Sequence, residues 1–208
     1  MIHDSLRRVQ AGFSLLEVLI TMVILAVGLL GLAGLQARAI NAETESFSRG
    51  QAMMLANELA DRMSANLAEV KISTTASTGY NQQDGSSVKV VFGTGYNNDC
   101  ISVSNNTSVL QAQCCAAKAS MAARDLCEWD LALKGVGEAP SGGGKIGGMA
   151  GARACVFQTA PSEFEIDVVW QGRDIGVIGS GNACGAAAIT SRRSGVSRSL
   201  RVADLEAP

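Results

Sequence analysis

The chain has 208 residues, a length that suits one folded domain and an additional element. Its net charge is -2 and its basic residues form no clustered stripe, which argues against duplex nucleic acid as a partner because that affinity comes largely from Lys and Arg on phosphates. Aromatic residues make up only 4% and glycines number 23. The composition therefore predicts long loops around a core with few aromatic side chains.

The first element along the chain is an apolar run close to the N-terminus. Val18 to Leu35 contains 18 residues with Thr21 as the only polar side chain, enough to cross a hydrocarbon core at about 1.5 Å per residue. Arg7 and Arg8 precede this run. Since positive charges favour the cytoplasmic side, we expect a single-pass inner-membrane segment with its N-terminus in the cytoplasm and the rest of the chain outside.

Two ordinary interpretations of this run leave part of it unexplained. A secretory signal peptide would be cut near Ala37-Arg38-Ala39, but its apolar stretch is usually about 7 to 15 residues long. A plain membrane anchor accounts for the length and the arginines but gives no reason for Glu17, a carboxylate at the start of the apolar segment.

A third interpretation accounts for Glu17. If the chain is cut between Gly12 and Phe13, the new amino group of Phe13 lies one helical turn from Glu17. When helices of several subunits pack together, Glu17 of one subunit can instead face the amino terminus of its neighbour. An unpaired buried charge is strongly disfavoured, so this pairing would set the register between subunits and indicates an assembly function.

The stretch Gly12-Phe13-Ser14-Leu15-Leu16-Glu17 resembles the class III signal of type IV pilins. The resemblance implies that a prepilin peptidase/methyltransferase cuts after Gly12 and methylates Phe13, and that Glu17 acts in assembly. It divides the chain into a cleaved leader (1–12), a membrane or fibre-core half of a long helix (13–35), an amphipathic half of that helix (36–67) and a periplasmic or extracellular globular domain (68–208).

The second half of the long helix is predicted from apolar residues that recur at spacings of four or seven. These residues are Ile40, Phe47, Met54, Leu55, Leu59, Met63 and Leu67. A continuous helix over 13–67 would be roughly 80 Å long, with its second half packed on the globular domain.

The globular domain is predicted to combine one further helix with about four strands. A helical pattern covers 116–134 and ends at Gly135, with Met121, Leu126, Trp129 and Leu133 near one face. Strand patterns occur at 87–92, 155–158, 163–171 and 195–202, and a Gly-rich loop occupies 138–152. We expect an α+β protein of the type IV pilin fold, in which the long helix packs on a roughly four-stranded antiparallel sheet.

The strand at 163–171 alternates apolar and acidic residues. Period-two spacing places Phe164, Ile166, Val168 and Trp170 on the buried face, and it places Glu163, Glu165 and Asp167 on the opposite face. Clustered carboxylates can form a hydrolytic pair, but three on one strand face are usually solvated. We expect a solvated outer face.

Six cysteines follow the predicted membrane segment, an arrangement that suits disulfides in an oxidising periplasm. They are Cys100, Cys114, Cys115, Cys127, Cys155 and Cys184. Their connectivity stays open, although the adjacent Cys114 and Cys115 are expected to take separate partners. Zinc is disfavoured because no Cys-x-x-Cys spacing occurs.

No catalytic motif is recognisable. The only histidine is His3, which lies in the predicted leader, so Ser-His-Asp and Cys-His mechanisms are unavailable to the processed chain. We expect no enzyme activity, no metal and no cofactor.

The segment around Asp125 and Trp129, followed by the Gly-rich loop and a Trp-bearing strand, resembles the PilV-type minor pilins. This resemblance implies a protein that joins the type IV pilus, helps to prime its assembly and its tip complex, and supports twitching motility and adhesion. Implied partners are minor pilins of the PilW, PilX, PilE and FimU types, the major pilin, the inner-membrane assembly platform and a tip adhesin. A type II secretion pseudopilin and a membrane-anchored periplasmic enzyme or sensor are the alternatives.

Overall fold

The computed structural model describes residues 12, 14–72, 79–81, 83–84, 87–88, 91–96, 114–136, 148–160, 162–172, 184–185, 189 and 192–202. The chain forms two compact units, Met1–Thr44 and Glu45–Pro208.

The first unit contains the beginning of a long helix, α1 (Leu15–Ala65). Ser14 precedes the helix, and its side-chain Oγ accepts a hydrogen bond of 3.3 Å from the backbone N–H of Leu16. This is how a serine N-cap satisfies a helix donor that has no partner within the helix. By length and apolar composition, α1 is the one helix in the described part of the chain that could cross a membrane.

The second unit contains the end of α1, which packs on the domain through one stripe. Its buried residues are Ala52, Leu55, Ala56, Leu59, Ala60 and Met63. Helix α1 ends at Ala65, and after Asn66 a short helix α2 (Leu67–Ile72) follows, so the helix predicted over 13–67 is confirmed over residues 15–65. The predicted apolar pattern also included Phe47 and Met54, but each is 70% exposed. The expectation that they pack on the domain is wrong, because the buried stripe runs through Leu55, Leu59 and Met63, and Met54 lies about 100° to its side.

The sheet has four antiparallel strands in the order β3–β4–β5–β6. These strands are β3 (Phe92–Gly93), β4 (Arg153–Ala160), β5 (Glu163–Gln171) and β6 (Arg193–Arg201). A separate pair is formed by β1 (Gln83–Asp84) and β2 (Ser87–Val88). The α+β fold with a four-stranded sheet is therefore confirmed. The strand predicted at 87–92 corresponds to β2 and the first residue of β3.

Helix α3 (Met121–Leu133) packs on the same core. Ser120 caps its start, and Gly135 follows its end with φ of 65°, a conformation that glycine adopts without strain. Ala122, Leu126, Trp129 and Leu133 are buried at helical spacing. Met121 was expected on this face, but it is 49% exposed because it lies one position out of phase with the stripe.

Both faces of the sheet are covered at its centre. Phe164, Ile166, Val168 and Trp170 face the core shared with α1 and α3, as predicted. A second cluster lies apart from that core and contains Cys155, Phe157, Val169, Cys184 and Ile189. The expected solvated outer face is wrong for Asp167, which is only 1% exposed and accepts a hydrogen bond of 2.6 Å from Ser197 Oγ.

Disulfides fasten segments onto this core. Cys115 is bonded to Cys127, and Cys155 is bonded to Cys184. Cys114 is also in a disulfide, so the two adjacent cysteines take separate partners. Cys100 lies outside the described residues.

Candidate processing and assembly site

The predicted cleavage position lies immediately before α1. Gly12 is exposed, and a Cβ built on it would meet nothing within 4 Å. Phe13 lies outside the described residues. The geometry of Gly12 is compatible with access by a protease.

Glu17 lies in the first turn of α1, three residues after the capping Ser14. Its backbone N–H donates to the carbonyl oxygen of Ser14 at 3.0 Å, and its side chain is exposed. A carboxylate in the first turn is stabilised by the helix dipole, by about 0.3 to 1 kcal/mol at an exposed site. The spacing Ser-x-x-Glu is also that of a capping box. Glu17 therefore has a local role in starting the helix as well as the predicted role between subunits, and experiments must separate the two.

No described residue of the first unit covers the apolar half of α1. The most apolar 18-residue window of the helix is 0% buried. Leu15 is 90% exposed and Leu30 is 78% exposed. Exposed apolar surface of this extent marks a membrane or protein interaction site.

Three glycines lie within this apolar half. A Cβ built on Gly28, Gly31 or Gly34 would meet no atom within 4 Å. Small residues on an apolar helix allow another helix backbone to approach closely. The surface can therefore accept lipid or a neighbouring helix.

In the second unit, a hydrogen bond joins α3 to α1. Trp129 is fully buried, and its indole Nε1 donates to the carbonyl oxygen of Leu55 at 2.9 Å. The ring of Phe92 packs edge-on against the Trp129 ring with 5.9 Å between centroids. The sequence placed Trp129 on the apolar face of its helix and within a resemblance, and the structure shows that it also holds the long helix to the domain.

An ion-pair network makes a second connection between the two helices. Arg62 on α1 contacts Glu58 at 2.8 Å, Glu128 at 2.6 Å and Asp125 at 3.3 Å. Burial lowers the pKa of Arg62, but the hydrogen bonds and charges of Glu128 and Glu58 outweigh burial and raise it overall. The Glu58–Arg62 pair joins residues four positions apart on one helix, whereas the pairs with α3 depend on the tertiary structure.

Asp125 extends this network to Tyr80. The Tyr80 hydroxyl donates to Asp125 Oδ2, and Asn66 Nδ2 donates to the Tyr80 oxygen at 3.3 Å. Burial, followed by the hydrogen bond to Asp125, raises the pKa of Tyr80. The network therefore connects the end of α1, α3 and the segment containing Tyr80.

A buried carboxylate fixes the other end of α3. Asp130 is 0% exposed, and it accepts hydrogen bonds from the backbone N–H of Gly93 and from Lys134 Nζ, each at 2.6 Å. The hydrogen bond from Gly93 to Asp130 holds β3 against α3. Sequence reasoning missed Asp130, although its spacing of four residues from Lys134 was an available signal; its bond to the backbone of Gly93 required the tertiary structure.

A cavity of about 440 Å³ lies beside this pair, lined by Thr94, Gly95, Tyr96, Leu133, Lys134, Gly148 and Met149. Its one ionisable amine, on Lys134, is paired with Asp130. Within the described ranges, no three His, Cys, Asp or Glu side chains come together in an arrangement that could hold a metal ion.

An exposed apolar helix joined to an α+β domain with a four-stranded antiparallel sheet defines a pilin-like class of protein. The profile of the prokaryotic N-terminal methylation motif matches residues 7–33, which include Gly12, Phe13 and Glu17. No curated protein and no solved structure shows significant similarity to the chain.

The motif match supports a type IV pilin-like or pseudopilin-like protein. It implies processing by a prepilin peptidase and assembly in a membrane or pilus. The motif and the apolar start of α1 fit an inner-membrane-anchored pilin.

Proposed function

We propose that the protein is a minor pilin of the PilV type, which enters the type IV pilus and helps to prime its assembly and its tip complex. The observation that carries the proposal is the apolar half of α1, 0% buried in its most apolar window and located inside a methylation motif. Such a surface is costly in water, so it must be covered by lipid before assembly and by neighbouring helices afterwards.

In this proposal the N-terminus is processed before assembly. A prepilin peptidase cuts after Gly12 and methylates Phe13, and the new amino group is the counter-ion for Glu17 of the same or a neighbouring subunit. Burial among helices makes an unpaired Glu17 costly, so the pairing selects one axial register.

The proposed topology is single-pass, with the N-terminus in the cytoplasm and the globular domain in the periplasm. The proposed partners are minor pilins of the PilW, PilX, PilE and FimU types, the major pilin, the inner-membrane assembly platform and a tip adhesin. Twitching motility and adhesion follow from membership of this fibre.

The proposed role is structural, without catalysis, metal or cofactor. It is supported by the single histidine, His3, in the proposed leader, and by the ion-paired state of Lys134 beside the described cavity. A membrane-anchored periplasmic enzyme or sensor would need α1 only as an anchor, so Gly12 and Glu17 would tolerate substitution.

A type II secretion pseudopilin is the second candidate, because the same methylation motif supports it equally. The two candidates differ in the assembly that incorporates the subunit, which is the type IV pilus in the first case and the type II secretion system in the second. Deleting the gene should abolish surface pili or twitching in the first case, and it should abolish secretion of exported enzymes with pili retained in the second.

The first experiment is intact mass measurement and N-terminal sequencing of the protein from membranes and from sheared pili. We expect a chain that begins with methylated Phe13 in both fractions. An uncut N-terminus would show that the apolar run serves only as a membrane anchor. A chain that starts at Ile40 would show that the apolar run belongs to a signal peptide.

The second experiment separates the two roles of Glu17. We expect Glu17→Ala and Glu17→Gln to be inserted and processed but to be at least about tenfold depleted from sheared pili, which corresponds to a loss of about 1.4 kcal/mol. Ser14→Ala is the matched control, because it removes the helix cap and keeps the carboxylate. Equal depletion of Ser14→Ala would show that helix initiation, rather than pairing between subunits, explains Glu17.

A further inference from the structure

Strand β6 forms one edge of the four-stranded sheet in the described part of the chain. It pairs with β5 over nine residues, from Glu163↔Arg201 to Gln171↔Arg193, without a shift in register. Ser197, Arg198 and Ser199 at its centre are all exposed. The edge is therefore long, regular and accessible.

The hydrogen-bonding pattern shows which backbone groups are directed away from β5. The Val202 N–H donates to Ser162 at one end of the ladder, and the Gly172 N–H donates to Arg192 at the other end. In an antiparallel pair, alternate residues bond to the partner strand. Even-numbered residues from 192 to 202 therefore face β5, and the backbone groups of Arg193, Gly195, Ser197, Ser199 and Arg201 are directed outward.

Strand β6 has only one of the usual devices that prevent pairing at a sheet edge. Proteins protect edges by short strands, prolines or bulges, or by charged side chains. The sequence of β6, RSGVSRSLR, has no proline, and its register is unbroken. Charged side chains are the one such device present on β6, and all of these charges are positive.

Four arginines lie along this edge: Arg192, Arg193, Arg198 and Arg201. Arg201 pairs with Glu163 at 3.4 Å, and Arg193 donates to the carbonyl oxygen of Cys184 at 2.8 Å. Within the described ranges, no carboxylate lies within ion-pair distance of the guanidinium groups of Arg192 and Arg198. By strand alternation these two share one face, while Arg193 and Arg201 lie on the other.

We propose that β6 is a docking edge for an acidic extended segment of another protein, which adds to the sheet as a fifth strand. The outward backbone groups supply the hydrogen bonds, and the positive charge of the arginines along the edge selects carboxylates. Val196 and Leu200 are half-buried on the core-facing side, so the segment should alternate acidic and β-branched apolar residues.

A second copy of this chain fits the edge less well. A two-fold antiparallel pairing of β6 with itself centred on Ser197 would place Arg193 opposite Arg201. Like charges directly opposite each other destabilise a strand pair. The charge on the edge therefore favours a different, acidic partner.

The test uses the full-length protein in neutral detergent micelles and two fluorescent peptides with blocked ends. One peptide alternates Glu and Val, and the other alternates Lys and Val. Fluorescence anisotropy should detect binding of the Glu peptide, weakening as salt is raised, and no binding of the Lys peptide. Absence of binding by both, or equal binding of the two, would overturn the proposal.

Variants at the edge test the geometry. Ser199→Pro removes an outward N–H that makes no bond to β5, which an edge strand tolerates, whereas Ser199→Ala keeps that N–H. We expect Ser199→Pro to abolish binding and Ser199→Ala to leave it unchanged. Arg198→Glu should weaken binding roughly two- to fivefold, and the same charge change on α1, Arg49→Glu, should have a smaller effect. Tight binding by Ser199→Pro with an unchanged circular dichroism spectrum would show charge attraction without strand addition.

Hydrogen exchange gives a measurement that requires no variant. The outward amides of residues 195, 197 and 199 should exchange quickly in the free protein and at least about tenfold more slowly with the Glu peptide bound. Unchanged exchange at these amides in the saturated complex would refute the docking edge. The result does not depend on cleavage after Gly12, so this proposal and the proposed pilin function fail separately.

Discussion

The two tryptophans provide a controlled test of how α3 holds α1. Trp129 is 0% exposed and donates its indole N–H to Leu55, whereas Trp170 is 1% exposed and no group of the described residues accepts a hydrogen bond from its Nε1. The substitution Trp→Phe removes the same atoms at both positions. The losses of unfolding free energy from missing apolar contacts and from the residual cavity are therefore similar at the two positions. The difference in unfolding free energy between the two variants then reports on the indole N–H group.

The magnitude follows from the hydrogen bonding of each indole. Trp129→Phe loses a hydrogen bond with a net value of about 0.5 to 1.5 kcal/mol. Trp170→Phe removes a buried donor that has no acceptor among the described residues, which should relieve a desolvation penalty of about 1 to 3 kcal/mol. We expect Trp129→Phe to lower the free energy of unfolding by about 1.5 to 4.5 kcal/mol more than Trp170→Phe does.

The assay is urea unfolding of the full-length protein in micelles with disulfides intact, followed by far-ultraviolet circular dichroism and extrapolated linearly to zero denaturant. Near-ultraviolet spectra should confirm that each variant keeps native packing. If both variants lose the same stability, or if Trp170→Phe loses more, the hydrogen bond to Leu55 does not hold the helix as argued.

Three further results are expected. Arg62→Ala should lower the free energy of unfolding by about 1 to 2 kcal/mol because it leaves the surrounding carboxylates without their cation. The loss should be smaller in high salt. An equal loss at all salt concentrations would contradict an electrostatic role for Arg62. Replacing Cys155 and Cys184 by serine should lower the free energy of unfolding by roughly 3.5 kcal/mol, since this bridge spans a sequence separation of 29 residues; unchanged stability in the same urea titration would argue against the bridge. Burial and a hydrogen bond raise the pKa of Tyr80, so above about pH 10 the unfolded tyrosine loses its proton while the folded one retains it. Stability should therefore fall as the pH rises through this range, and Tyr80→Phe should show a shallower fall; parallel curves would remove Tyr80 as the cause.

Local patterns in the sequence were sufficient for the longer elements of secondary structure. The strand Glu163–Gln171 was predicted to the residue because its alternation of apolar and acidic side chains has the period of a strand. The helix ending before Gly135 was predicted from a stop signal that acts within a few residues. The motif around Gly12 and Glu17 was equally local, and the methylation-motif match over residues 7–33 agrees with it.

The arrangement of polar groups was decided by tertiary packing. Asp167 was expected in solvent because strand alternation says which face a residue occupies but not what covers that face. The exposure of Phe47 and Met54 was missed for a related reason: apolar periodicity does not show which part of a helix surface meets the domain.

The sequence by itself thus determined the longer elements of this protein and its N-terminal methylation motif, since both depend on neighbours within a few residues. Only the tertiary structure decided that Arg62 meets Asp125, that Trp129 reaches Leu55 and that β6 lies at the edge of the sheet. The physical reason is distance along the chain: hydrogen bonds and ion pairs form between atoms about 3 Å apart, and the residues that supply them here are separated by 63 to 74 positions.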